Sequence, residues 1–172
     1  MKRIKGESHA KSKLVRNFIF GVEDSLVSTV GLLAGVAAAD VDRHTILLTG
    51  GVLVAVEALS MGIGSLLSES FADEYVDGRH DEDKNSILAA IVMFGSYALA
   101  GIVPLFPYIV FVRETAFFVS IAASSFALFL LGFLGARYFG SRGYRSGLRM
   151  FLLGTSAIVV GVLVGQLLHV SG

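Results

Sequence analysis

The run FIFGVEDSLVSTVGLLAGVAAA (18–39) decides how this chain is read. As a helix it is long enough to cross a hydrocarbon core of about 30 Å, yet it carries Glu23 and Asp24 inside it. The next apolar run, 45–68, carries Glu57 near its middle. A carboxylate in hydrocarbon is costly and rarely kept without a use, so these acids point to a cation pathway through a membrane.

Composition agrees. The 172 residues are 54% hydrophobic and only 16% charged, with a mean hydropathy of +0.73. A soluble domain of this length needs a polar exterior that these residues cannot build. Three more apolar runs, at 86–107, 115–137 and 149–170, bring the spans to five of about 22–24 residues each. Together they predict an all-α membrane protein with five transmembrane helices, a single domain over 1–172. The first run is too long and too acidic for a signal peptide, and it has no small-residue cleavage site. Cysteine is absent, which excludes disulfides, thiolate metal sites and cysteine nucleophiles.

The net charge is zero, but the charges are unevenly placed. Lys2, Arg3, Lys5, Lys11, Lys13 and Arg16 precede the first span. Arg79 and Lys84 follow the second, and Arg137, Arg142, Arg145 and Arg149 fall around the fourth connection. Only Arg43 and Arg113 occupy the alternate connections. The positive-inside rule therefore puts the N-terminus in the cytoplasm and the C-terminus on the opposite side. The basic N-terminal segment fits topology and contact with membrane lipids, and no nucleic-acid partner is expected.

With this orientation Asp24 lies about 10 Å from the cytoplasmic edge, Glu57 about 12 Å and Met61 about 6 Å. Asp24, Ser28, Gly31 and Gly35 share one face of the first span, and Glu57, Ser60, Met61, Gly64 and Ser68 share one of the second. Carboxylate and hydroxyl oxygens with one thioether suit divalent iron or manganese, whereas calcium and magnesium gain nothing from sulfur. Met61 also has a plain packing role as a gap filler. Glu23 can snorkel to the surface or pair with Arg16, seven residues earlier. Glu57 has no basic residue on its own helix.

The stretch ESFADEYVDGRHDEDK (69–84) contains half of the acids in the chain. If the helix extends through it, Glu69, Asp73 and Asp77 line up at four-residue steps, with His80 three residues beyond, as candidate metal ligands. The alternative is a solvated acidic connection over 69–85, which still concentrates cations at the cytoplasmic mouth. His44 and His169 are isolated. Gly31-x-x-x-Gly35 and Gly161-x-x-x-Gly165 allow close helix contact, either inside a bundle or at a dimer seam.

GVEDSLVSTVGLLAGV (21–36), EALSMGIGSLLS (57–68), AGIVPLFPYIV (100–110) and GARYFGSRGYRSGLRMFLLGTSA (135–157) together resemble the vacuolar iron transporter family. The first is similar to that family's Asp-Gly-Leu-x-Ser-Thr signature and the second to its Ser-Met-x-x-Gly-Glu-Tyr stretch. The resemblance covers nearly everything from residue 17 on. Ser25 replaces the family's glycine, and Ser65 stands where a glutamate is expected, so Glu57 or Glu69 would have to serve instead. The cytosolic metal-binding domain that many members insert between spans two and three is missing.

The resemblance implies a five-span homodimer that moves ferrous iron, often manganese, out of the cytosol in exchange for protons. Asp24 and Met61 take path positions, with Glu57 as a third and Ser28 and Ser60 beside them. No resident cofactor is implied, since Fe2+ or Mn2+ is cargo. A passive divalent cation channel is the nearest alternative. An intramembrane enzyme or assembly factor lacks the motifs for its chemistry, so the chain is not expected to be an enzyme. The short form points to a prokaryotic inner membrane rather than an organelle. Two helices offer fewer donors than a transition metal takes, so a two-fold axis beside the first two spans is expected, with Gly31 and Gly35 at its seam.

Overall fold

A computed structural model describes residues 2–77, 84–138 and 143–170 as six helices. They are α1 (Lys2–Ala38), α2 (Arg43–Asp77), α3 (Lys84–Ala100), α4 (Ile102–Val110), α5 (Arg113–Tyr138) and α6 (Gly143–Val170). Five stretches are long and apolar enough to cross a membrane, with α3 and α4 forming one of them over Ser86–Val110. Val52, Val56, Leu59, Ile63 and Leu67 of α2 are each at least half exposed, an outer surface suited to hydrocarbon rather than water.

The helices outrun the apolar segments. At 37 and 35 residues, α1 and α2 are about 55 and 52 Å long, well beyond a core of about 30 Å. The basic N-terminal segment, expected to lie before the first span, is the opening of α1 itself. The acidic stretch continues α2 through Asp77. The excess of both helices lies at the same end of the bundle, where they run antiparallel. There the Asn17 amide donates to Ser65 Oγ at 2.9 Å.

The third span is not one straight helix. Pro104 has no N–H for the Ala100 carbonyl and its ring crowds that oxygen, so the helix breaks at Gly101. Gly101 is also needed sterically, because a Cβ there would sit 2.5 Å from Val54 and 3.1 Å from Ser25 Oγ. The Pro104 carbonyl also accepts the Ser120 hydroxyl at 2.8 Å, tying α4 to α5.

α1 is the centre of the bundle and packs against every other helix. Its contact with α6 is backbone on backbone: a Cβ on Gly35 would lie 2.6 Å from the Gly161 carbonyl oxygen, and one on Gly161 would land on that of Gly31. The close approach that Gly31 and Gly35 permit is made to Ala157, Gly161 and Gly165 of the same chain.

On the far side both exceptional arginines have structural work. Arg43 donates to the Tyr108 carbonyl at 2.6 Å and also to that of Ile109, closing the end of α4. Arg113 pairs with Asp40 and donates to the Val41 carbonyl at 3.2 Å, holding the turn after α1, where Asp40 takes a left-handed conformation (φ 59°). Asp42 caps α2 by accepting from the Thr45 N–H at 3.0 Å and its hydroxyl at 2.7 Å. These bonds, the hydroxyl's first, hold the Asp42 carboxyl below the usual carboxylate range. The cap is thus intact at neutral pH and lost as pH falls through that lowered value.

The glycine seam predicts a contrast between two small substitutions. Gly161→Ala should destabilise the protein by about 1–3 kcal/mol through overpacking, whereas Gly51→Ala, which meets nothing within 4 Å, should be neutral or slightly stabilising. Unfolding of the two variants in one detergent measures the difference.

Candidate functional site

Three contacts set the register of α1 against α2. Arg16 and Lys13 bind Glu69, Asn17 meets Ser65, and a Cβ on Gly50 would lie 2.6 Å from Leu33. Carried along the pair, this antiparallel register sets Asp24 level with residues 58–60. Glu57 and Met61 then lie one on each side, each about 2–5 Å away in height. Asp24, Glu57 and Met61 are all half-buried, and the charges of Asp24 and Glu57 fall within reach of one another.

A groove of about 690 Å³ runs outward from this level, with α1 as its floor and α2 and α6 as its walls. Ser28, Gly31 and Gly35 line the floor, and Leu53 lines the α2 wall. Asp24 is one turn from Ser28 and Glu57 one turn from Leu53, both in the direction of the N-terminus of α1, so the two carboxylates lie just beyond that end of the groove. Ser60 is exposed on the same side of α2 as Glu57.

Tyr97 of α3 is a member of this constellation that the sequence reading passes over. Its ring is fully buried and its hydroxyl shares a 2.7 Å hydrogen bond with Ser28 Oγ, within electrostatic reach of Asp24 and Glu57. Its backbone carbonyl accepts the Ser25 hydroxyl at 2.7 Å. The residue type carries a signal: a tyrosine inside a span needs a partner for its hydroxyl, and Ser28 supplies one.

The remaining acids divide. Glu69 is 4% exposed, its carboxylate shared by Lys13 at 3.0 Å and by Arg16. Arg16 is therefore not the partner of Glu23, which has Asp24 and Arg149 of α6 as its charged neighbours. Ser65, at the position where the family's glutamate is expected, is bonded to Asn17. The helix passes through Asp73 and Asp77, but their side chains, together with His80 and the rest of 78–83, lie outside the described residues. Among the described residues no three His, Asp or Glu side chains converge as a metal site. His44 and His169 are exposed at the far ends of α2 and α6.

The VIT family model matches residues 15–85 and 69–166, nearly the whole of the membrane-spanning part. The chain belongs to the VIT family. The two matched pieces of this VIT chain meet over 69–85, the connection from which the inserted cytosolic domain is missing. Similar VIT proteins include vacuolar iron transporter 1 of Oryza sativa subsp. japonica, 25% identical over 88% of this chain and 84% of its own length. Vacuolar iron transporter homolog 1 of the same plant is 30% identical, over 88% of this chain and 72% of its own. Homolog 4 of Arabidopsis thaliana is 33% identical over 73% and 69%. All three are named as transporters rather than enzymes.

The ion-pair placement of Glu69 predicts that Glu69→Gln lowers stability by about 1–3 kcal/mol, the scale of hydrogen bonds to charged groups. Divalent-metal binding by the purified variant should stay within about twofold of the parent, since the carboxylate is already held by Lys13 and Arg16. Unchanged unfolding with metal binding lost would return Glu69 to the ligand set.

Proposed function

We propose that this VIT-family protein carries divalent transition-metal ions, ferrous iron and manganese, out of the cytosol in exchange for protons. The reading rests on Asp24 and Glu57, which stand on adjacent helices within electrostatic reach of one another, each one turn from a residue that lines an open groove. Relatives named as iron transporters support iron as cargo. A carboxylate that binds a proton cannot bind a metal with full strength, so the two ions compete for the same pair. Competition of this kind couples the fluxes when access alternates between the two sides.

In this reading Met61 adds a soft donor at the same level, while Ser28 and Ser60 add hydroxyls. Asp73 and Asp77 gather metal ahead of the path. One chain supplies few donors and leaves the groove open, so the working unit is a homodimer whose second copy doubles the set. Gly31 and Gly35 pack on α6 and also line the groove floor, and the seam is the groove itself together with the outward face of α2. The relatives are plant proteins named for the vacuole, so placing this chain in a prokaryotic inner membrane rests on the missing inserted domain alone.

Reconstituted vesicles test the site. Asp24→Asn and Glu57→Gln keep side-chain size but remove charge, and each should cut iron uptake at least tenfold while the protein stays folded. Met61→Leu should weaken iron more than calcium or magnesium, and equal loss for every cation would remove the thioether from the ligand set. For the dimer, Leu32→Cys on the groove floor of this cysteine-free chain should be joined between subunits by a short bifunctional reagent. Full transport by a protein shown to be monomeric would contradict the shared path.

A further inference from the structure

A second cleft lies on the opposite face of α1, away from the groove, between α1, α3 and α5. It has a volume of about 910 Å³ and is open to the outside of the bundle. Its walls are apolar along their length except for Ser96, whose hydroxyl is already engaged by the Met93 carbonyl at 3.0 Å. Its polar end is formed by Arg137 and Tyr138 of α5, and no acidic side chain lines it among the described residues.

The register of the helices gives the cleft a direction. Leu26 packs with Leu128, and a Cβ on Gly135 would touch Ile19 at 3.7 Å, so Arg137 stands level with Asn17 at the cytoplasmic edge. A Cβ on Gly21 would strike the Ser96 hydroxyl, and the Ser25 hydroxyl reaches the Tyr97 carbonyl, which in this parallel pair sets Leu99 level with residues 24–27. Leu99 is thus about seven to ten residues deeper than Arg137, roughly 10–15 Å into the hydrocarbon. An apolar slot of that depth under a guanidinium matches a lipid with its acyl chain inward and its phosphate at the mouth. Arginine binds a phosphate oxygen pair through two parallel hydrogen bonds. Basic residues at the cytoplasmic ends of inter-helix pockets favour acidic head groups over zwitterionic ones.

The geometry points to a binding site for one acidic glycerophospholipid of the cytoplasmic leaflet, with its phosphate on Arg137 and an acyl chain along Leu99. The site is separate from the ion path and does not depend on what that path carries. Such a lipid would fill the gap that α3 and α5 leave beside α1 and so brace the helix that carries Asp24.

The chain contains no tryptophan, which makes a direct probe available. Leu99 is 70% exposed, so Leu99→Trp adds a fluorophore without crowding a core, and Leu152→Trp on α6, 57% exposed and at similar depth, serves as the control. Both are placed in phosphatidylcholine vesicles containing a minor fraction of either brominated phosphatidylglycerol or brominated phosphatidylcholine. Phosphatidylglycerol should quench the Leu99→Trp variant several-fold more than phosphatidylcholine does, and the two should quench the control equally. Adding Arg137→Gln should abolish the preference. Equal quenching of Leu99→Trp by the two lipids, or a preference that survives Arg137→Gln, overturns the site. Native mass spectrometry of the unaltered chain gives an independent reading, with phosphatidylglycerol retained in preference to phosphatidylcholine if the site exists and no preference if it does not.

Discussion

The fold depends on how closely α1 and α6 approach. Without water to expel between them, two helices in hydrocarbon are held by van der Waals contact, which grows as their backbones near one another. Gly31, Gly35, Gly161 and Gly165 remove the side chains that would keep them apart. α6 is thereby fixed to one flank of α1, while α2 packs on α1 and α3 from another side. Neither α2 nor α6 closes over the remaining face of α1, and that uncovered face becomes the groove. The placement of Asp24 and Ser28 beside it follows from a seam one to three turns away.

Charge is then sorted by what the membrane tolerates. Glu69 could not be buried alone, and Lys13 with Arg16 neutralise it where α1 and α2 leave the membrane together. Asp40 and Arg113 settle each other on the far side. Glu23 has Arg149 nearby. Asp24 and Glu57 face each other as like charges, and Glu23 faces Asp24 as well, so like charge is concentrated at this level of the bundle. Tyr97 extends the polar layer without adding charge.

Much of this is legible in the residues. Length and hydropathy give five spans, because a stretch that crosses hydrocarbon must be apolar wherever it packs. Asp24 and Glu57 stand out because a membrane makes carboxylates conspicuous. Features that depend on partners are hidden. The sequence shows that Gly31 and Gly35 permit a close contact, but the contact lies with α6 because both partners present glycine at matching height. The binding of Arg16 to Glu69 rather than Glu23 requires the register of two helices that meet 53 residues apart in sequence. The break at Gly101 is written in Pro104, yet an apolar count runs through it unchanged. Tyr97 escapes notice because a lone tyrosine in a span looks like packing until its hydroxyl has a partner.

The central claim is that one carboxylate pair serves metal and proton in turn. The direct measurement is simultaneous recording of iron uptake and lumenal pH in vesicles containing the purified protein, with no imposed pH gradient and the membrane potential clamped. The account predicts that iron entry drives protons out, raising lumenal pH in proportion to the iron taken up, and that Glu57→Gln abolishes both signals together. Iron entry at the full rate with no change in lumenal pH would contradict it and leave a passive channel.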